Sequence, residues 1–496
     1  MKGGWSRRRA AWWTRVVVLG ALGAAWGAIA TGSGARGESS FTPFMSPAQE
    51  TRIGAEEHPK ILTRFGGVYR DRRVSGYVAE IGGRLVHNAE VADLRFTFTV
   101  LNTPVVNAFA LPGGYVYVTR GLIALANSEA ELAGVIAHEI GHVVARHTAE
   151  RYSRSVVARL GEAILGTLTK SGDVGRLARL GSELYLRGFS REQEYEADLL
   201  SVRYLRRAGY DTYAQAAFLE ILGRHSTLMN HIEGRPGAER ELDFFATHPR
   251  AADRVERVIA AAGAGVPIAD APRRRAAFLA TIEGMLYGDD PEQGFVRGER
   301  FSHPSQRFTF TVPRGFRLIN TMQAVFAKGP EDATLRFDAA PQTVAYDPLH
   351  YLTREWARGA EIAEIERIRV NGFDAATARA RVVGRNGPAD LRLVAIRFDD
   401  EIMFRMLFMT PPRLTARLAA DFRRTTFSFR RLSEREAAAL KPLRLWVAVV
   451  DADDTLDSLA AKAPFEPYMR EWLRVLNGLA PDQPIEVGRR IKYVAE

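Results

Sequence analysis

The run His138-Glu139-Ile140-Gly141-His142 constrains this chain more than any other feature. Composition alone would produce a His-Glu-x-x-His string about 0.01 times in a chain of this length. Its surroundings read as a buried helix. Ser128 and Glu131 have capping-box spacing, and Leu132, Val135, Ile136, Ile140, Val143 and Val144 fill the apolar positions that follow. On such a helix His138 and His142 are four residues apart and project from one face. They can hold one Zn²⁺ per chain, with Glu139 beside them to take a proton from water. Gly141 costs a helix about 1 kcal/mol relative to Ala. A bare backbone there admits a close neighbour. The competing reading is a helix whose histidines only pack.

A catalytic zinc needs a third protein ligand and an open fourth position. The chain has no cysteine, so the ligand must be His or a carboxylate. Thr148 and Ala145 stand where metzincins place their third His and the intervening Gly, which excludes that subclass. His147, five residues past His142, points off the helical face and reads as a surface or packing residue. The better candidate is the helix start containing Glu194-Tyr195-Glu196-Ala197-Asp198. Glu194 and Asp198 share one face with the small residues Ala197 and Ser201, so this helix can approach the first closely. Glu194 is then the third ligand, Asp198 receives the free N–H of a ligand histidine, and Glu196 falls on the far side. The alternative is an exposed acidic helix start favoured by the helix dipole.

The 496 residues exceed what one core usually organises, and 46% hydrophobic with 25% charged residues is ordinary globular usage. The net charge of +10 invites a nucleic-acid partner. Five of those positive charges (Lys2, Arg7, Arg8, Arg9 and Arg15) sit in the first 30 residues with no acid. We therefore expect no nucleic acid. The basic start, the apolar run Val16–Ala30 and the small residues at Ala28 and Ala30 predict a cleaved signal peptide over 1–30. The alternative is an N-terminal membrane anchor. Export by this route gives a periplasmic protein in a Gram-negative cell.

Along the chain the pattern is mostly helical from 45 to 283, with strands between Leu94 and Val118 around a Pro-Gly-Gly turn. Residues 284–300 read as a linker. Alternating segments over 301–432 predict an α+β domain of unknown role, and Ser433 to Pro442 as a second linker before a tail at 444–496.

The pair His138-Glu139-x-x-His142 with Glu194-x-x-x-Asp198 resembles the zinc peptidases that include HtpX and the CaaX prenyl endopeptidases. Without further membrane spans, the chain is most similar to the exported BepA-like branch. That resemblance implies a mostly α, zincin-like (gluzincin) peptidase domain with a small sheet beside the cleft, with His138, His142 and Glu194 as ligands and Glu139 as general base. It also implies a zinc-dependent endopeptidase of the cell envelope acting on unfolded, misfolded or misassembled exported polypeptides. The alternative is a latent zinc-binding, chaperone-like protein. Asn107, Ala108, Phe109, Gly113 and Gly114 resemble the family's active-site edge strand, where a substrate peptide pairs, and the competing reading is a plain hairpin turn. Thr247-His248-Pro249 with Arg254 resembles a Thr-His-Pro element. By that analogy His248 caps the zinc or donates to the oxyanion, and Arg254 serves the oxyanion or fixes the loop. Asp454-Thr455-Leu456, Leu476-Asn477-Gly478 and Val487-Gly488-Arg489 resemble a LysM-like βααβ module, which implies peptidoglycan as a partner. The long stretch from Ala460 to Leu476 and Asp453 in place of a Gly depart from that pattern.

Overall fold

The computed structural model describes residues 45–89, 94–155, 188–232, 244–249, 253–263, 273–340, 347–384, 387–462 and 468–496. The expected signal peptide at 1–30 lies outside the described residues. Among those residues no helix is long and apolar enough to cross a membrane.

Two helices open the helical half: α1 (Pro47–Arg64), which starts in a capping box built by Ser46 and Gln49, and α2 (Arg72–Asn88), capped by Asp71. A three-stranded sheet follows, made of β1 (Thr97–Leu101), β2 (Ala108–Leu111) and β3 (Tyr115–Thr119). Its order is β1-β3-β2, with β1 parallel and β2 antiparallel to β3. The tight β2–β3 turn uses Gly113 and Gly114 at φ of 82° and 84°, a conformation only glycine adopts without strain. The short α3 (Arg120–Leu125) leads into α4 (Glu129–Val144), which is buried from Glu129 to Val143. A helix apolar on all sides belongs in a core, and α4 is the central rod of this half. The Ser128 hydroxyl accepts from Glu131 N, as the spacing predicts. The Glu131 carboxylate turns away from the reciprocal capping-box bond and accepts from Asn127 N at 2.7 Å.

Around α4 stand α5 (Arg191–Arg207), α6 (Tyr213–Ile232), the single turn α7 (Phe244–Thr247), α8 (Arg254–Gly263) and α9 (Arg275–Ile282). The α4–α5 approach is close because its contact residues are small. A Cβ on Gly141 would lie 3.2 Å from the Ala197 carbonyl oxygen, and Ser201 Oγ donates to Gly134 O at 3.0 Å.

The sheet-rich half begins inside the segment expected to be a linker. Residues 284–300 carry β4 (Phe295–Arg297), paired with β5 (Arg300–His303). Leu286 and Gly288 also accept from the buried Arg120 guanidinium, which ties this stretch to the helical half. With β6 (Phe308–Thr311) and the two-residue strand Arg430–Arg431 paired to it, these strands form one small four-stranded sheet.

The large antiparallel sheet contains β7 (Arg317–Asn320), β8 (Val325–Lys328), β9 (Thr334–Ala339), β10 (Ile362–Val370), β11 (Phe373–Gly384), β12 (Gly387–Arg397) and β13 (Met403–Thr410). Its order is β10-β11-β12-β13-β9-β8-β7. Helix α10 (Pro412–Ser428) covers one face through Leu414, Leu418 and Phe422, and the short helical stretch from Pro348 to Trp356 covers the other through Tyr351 and Leu352.

The tail has the order strand, helix, helix, strand: β14 (Arg444–Val449), α11 (Leu456–Ala460), α12 (Met469–Leu476) and β15 (Arg490–Ala495), with β14 and β15 paired antiparallel. It is joined to the helical half by a shared core. Leu443, Leu445, Val475, Leu476 and Val494 belong to the same hydrophobic cluster as Leu132, Val135 and Ile136 of α4. Lys492, fully buried, donates to the carbonyls of Ala124, Leu125 and Ala126 at the end of α3.

Candidate metal centre and active site

His138 and His142 rise from α4, Glu194 from the first turn of α5, and His248 follows α7, its backbone held by His248 N→Phe244 O. One donor atom from each of these four buried residues falls within 4.8 Å of all the others. The separations are more telling. His138 Nε2 is 3.0 Å from His142 Nε2, 3.3 Å from His248 Nδ1 and 3.5 Å from Glu194 Oε2. Glu194 Oε1 lies 3.4 Å from His142 Nε2 and 3.0 Å from His248 Nδ1. Zinc bonds of about 2.0–2.2 Å to N and O set tetrahedral corners about 3.3–3.5 Å apart, so these separations, 3.0–3.5 Å taken to one or the other Glu194 oxygen, suit a roughly tetrahedral donor set.

The charge and hydrogen-bond balance also fits a divalent cation. Three carboxyl groups, those of Glu139, Glu194 and Asp198, share this buried pocket with one guanidinium, that of Arg254. Both Glu139 oxygens are buried without a hydrogen-bond partner, with only the His248 ring beside them, and Glu194 Oε2 has the Arg254 guanidinium close by but no aligned hydrogen bond. Buried groups in that condition are costly unless a charge satisfies them. Metal binding fits, on the donor set and on those unsatisfied oxygens.

Around the donors each group has a holder. His138 Nδ1 faces Asp198 Oδ1 at 2.9 Å. Asp198 accepts from Arg254 Nε and Nη2 at 2.8 and 2.9 Å and from Gln215 Nε2 at 3.0 Å. Arg254 Nη1 sits 2.7 Å from Glu194 Oε2, so the guanidinium is committed to the two carboxylates. That geometry fits a role in fixing Glu194 and Asp198. Burial pushes the Glu194 carboxyl up, but His248 and Arg254 outweigh it and hold it well below the usual carboxylate range. For His138 burial works downward, yet Asp198 and Glu194 raise its pKa to about 9 in the metal-free protein. Burial drives His142 the other way, well below the ordinary imidazole value.

His147 departs from expectation. It is buried, its Nδ1 is 3.0 Å from His142 Nδ1, and its Nε2 is 3.3 Å from Glu196 Oε2. The helical-wheel reading failed because α4 stops at Val144 and Arg146 adopts φ of 59°. A left-handed residue reverses the chain and brings His147 back beneath His142. No Gly or Asn marks that end, so nothing local signals the turn; Glu50 supplies the anchor, accepting from Arg146 Nε at 2.9 Å. Phe189, unsuspected from the sequence, stacks on the His142 ring at 3.8 Å between centroids.

Among the expected substrate-binding residues, Asn107 reaches the rim of the site, where its Oδ1 accepts from Thr247 Oγ1 at 3.3 Å. Ala108 and Phe109 lie in β2, the terminal strand of its sheet, and all four β2 residues are fully buried. The open edge expected for peptide pairing is therefore covered in this conformation. Gly113 and Gly114 stand at the other end of β2, packed against Thr51 and Arg95. Glu139 Oε1 is 3.2 Å from His248 Nε2, so His248 spans from the fourth corner of the tetrahedron to Glu139.

Residues 72–262 match the model of peptidase family M48. Mitochondrial metalloendopeptidase OMA1 of Schizosaccharomyces pombe is 30% identical over 218 residues, 42% of this chain and 60% of that protein. The β-barrel assembly-enhancing protease of Escherichia coli is 29% identical over 214 residues, 41% of this chain and 42% of that protein. Arabidopsis thaliana OMA1 is 38% identical over 151 residues, 30% and 28% respectively. The matched stretches thus span less than two thirds of these relatives. The stretch that matches peptidase family M48, residues 72–262, contains all four converging donors.

Proposed function

We propose that the protein is a zinc-dependent endopeptidase, with His138, His142 and Glu194 as the ligands and Glu139 as general base. The observation that carries this reading is Glu139: a buried carboxylate beside the donor set, without a hydrogen-bond partner and with only the His248 ring 3.2 Å away, where a purely structural metal site has no use for a base. Zinc, when bound, supplies a Lewis acid that polarises a carbonyl and lowers the pKa of water. Glu139 takes the proton of the attacking water and delivers it to the leaving amine, a contribution of about 10²–10⁴ in rate. Asp198 and Arg254 keep His138 and Glu194 in place while that happens.

His248 caps the metal in this reading, and the conformation is a resting one. Substrate access then requires His248 to leave the fourth corner, which also frees Glu139, and β2 to be uncovered for an extended peptide. Such main-chain pairing suits unfolded chains with little sequence preference. The named similarity to a β-barrel assembly-enhancing protease and the signal-like start support misfolded or misassembled exported proteins as substrates, in the periplasm. Peptidoglycan contact through 444–496 is a separate proposal, tested by co-sedimentation with purified cell wall.

A second reading has one observation in its favour: with His248 at the fourth corner and the cluster buried, the protein is a latent zinc-binding, chaperone-like one. Casein cleavage and zinc content, measured for residues 31–496 and for Glu139→Gln, separate the two. Zinc in both with cleavage only in the parent supports the peptidase. Zinc in both and cleavage in neither, even after His248→Ala, favours the second reading.

A further inference from the structure

We propose that the sheet-rich half binds an amphiphilic anion, a carboxylate or phosphate head on an apolar body, in the cavity between β10–β12 and α10. The cavity measures about 450 Å³, within the roughly 300–1,000 Å³ of small-molecule sites. Phe408, Phe422 and Ala419 give it an apolar wall, and arginines from two strands give it a charged one.

Those arginines are placed at a cost. Arg379 of β11 and Arg392 of β12 stand directly opposite each other in the ladder, and like charges in that relationship are destabilising. Arg379 has relief, since its Nη1 donates to Glu364 at 2.9 Å. In the next row Arg381 is satisfied by Asp390 at 2.6 Å, which also accepts from Thr415. Arg392, half-buried, makes no hydrogen bond or ion pair among the described residues. Burial and the neighbouring Arg379 and Arg423 disfavour its charge; Glu364 and Glu366, on the exposed edge strand, favour it without pairing.

A partly desolvated, unpaired guanidinium facing a second one is unfavourable for the empty protein. An anionic head beside Arg392 offsets both penalties with charge-assisted bonds, while its apolar body lies against the exposed Ala419, with the almost fully buried rings of Phe408 and Phe422 as the floor behind it. Glu361 and Glu364, which also line the cavity, are exposed, the first just before β10 and the second on it, so the inner end keeps the positive character.

The test is calorimetric titration of the full chain with octanoate, octyl phosphate, octanol and inorganic phosphate, repeated on Arg392→Leu and Arg392→Lys. We expect one site for an octyl anion, about tenfold or more weaker in Arg392→Leu and partly restored in Arg392→Lys. The tighter of the two heads identifies the ligand's chemistry. Because Arg392→Leu removes a like-charge pair, its Tm without ligand should equal or exceed the parent's. No saturable binding of either amphiphile, equal binding of octanol, or unchanged affinity in Arg392→Leu would each overturn the site. Inorganic phosphate binding as tightly as octyl phosphate would remove the apolar half of the proposal, and a lower Tm in Arg392→Leu would remove its energetic basis.

Discussion

His147 Nδ1 sits 3.0 Å from His142 Nδ1 and passes the contact on to Glu196 through Nε2. If His142 presents Nε2 to a metal, its Nδ1 carries the proton and must donate it. His147 can accept only as a neutral ring protonated on Nε2, which then donates to Glu196. Burial, which lowers the His147 pKa despite the pull of Glu196, favours that neutral form. The two α4 histidines are therefore oriented by different devices, His138 by a carboxylate and His142 by an imidazole that a surface carboxylate fixes.

Removing that device should loosen the metal. We expect His147→Ala to weaken zinc binding about 10–100-fold, the usual cost of losing an outer partner, and Glu196→Gln to weaken it less. Competition with a chromogenic chelator measures both. Unchanged zinc affinity in His147→Ala would reduce the relay to packing.

Gly141 sets the distance between the helices that carry the candidate metal donors. A Cβ there meets Ala197 O at 3.2 Å and Ala197 Cα at 3.3 Å, so Gly141→Ala asks for a shift of a few tenths of an ångström. Gly141→Leu cannot be accommodated without separating α4 from α5. We expect a stability loss of about 1–3 kcal/mol and a drop in zinc affinity, because Glu194 moves with α5. Urea unfolding and zinc content of the purified variant decide this.

The Asp198–Arg254 pair should show itself in acid. Burial raises the Asp198 pKa, but Arg254 and His138 outweigh it, so the folded value lies below the ordinary 3.8. A carboxylate lowered on folding stabilises the protein above its unfolded pKa and loses that contribution as pH falls through the folded one. With a chelator present throughout, Asp198→Asn should be less stable than the parent at pH 7, by about 3–5 kcal/mol for a broken buried pair. The gap should close below about pH 4. Thermal unfolding of both proteins from pH 7 to pH 3 checks the sign, and a constant gap would contradict it.

The tail should behave as part of the peptidase half. Lys492 Nζ satisfies three carbonyls at the end of α3, just before the Ser128 cap of α4. Arg275 bridges Asn127 O and Arg490 O across the same joint. Lys492→Met leaves buried acceptors unpaired at about 1–3 kcal/mol each, and we expect one cooperative transition at a clearly lower Tm. Deleting 433–496 should then yield aggregated or inactive protein. A soluble, active truncation would show that the shared core is dispensable.

Spacing alone pointed to a metal-binding site. His138, Glu139 and His142 on one helix, and Glu194 with Asp198 on another, follow from helical periodicity, because residues three and four apart share a face whatever surrounds them. Gly141, Ala197 and Ser201 pointed to close contact for an equally local reason, that small residues permit it. The tertiary structure decided what periodicity cannot reach. His147 came to His142 because Arg146 ends the helix in a left-handed turn held by Glu50, ninety-six residues away in sequence. The order of the seven-stranded sheet, the strand within the expected linker and the seating of Lys492 against α3 depend on long-range pairing. Those contacts are fixed by the burial that the whole chain achieves together, and no local run of residues encodes them.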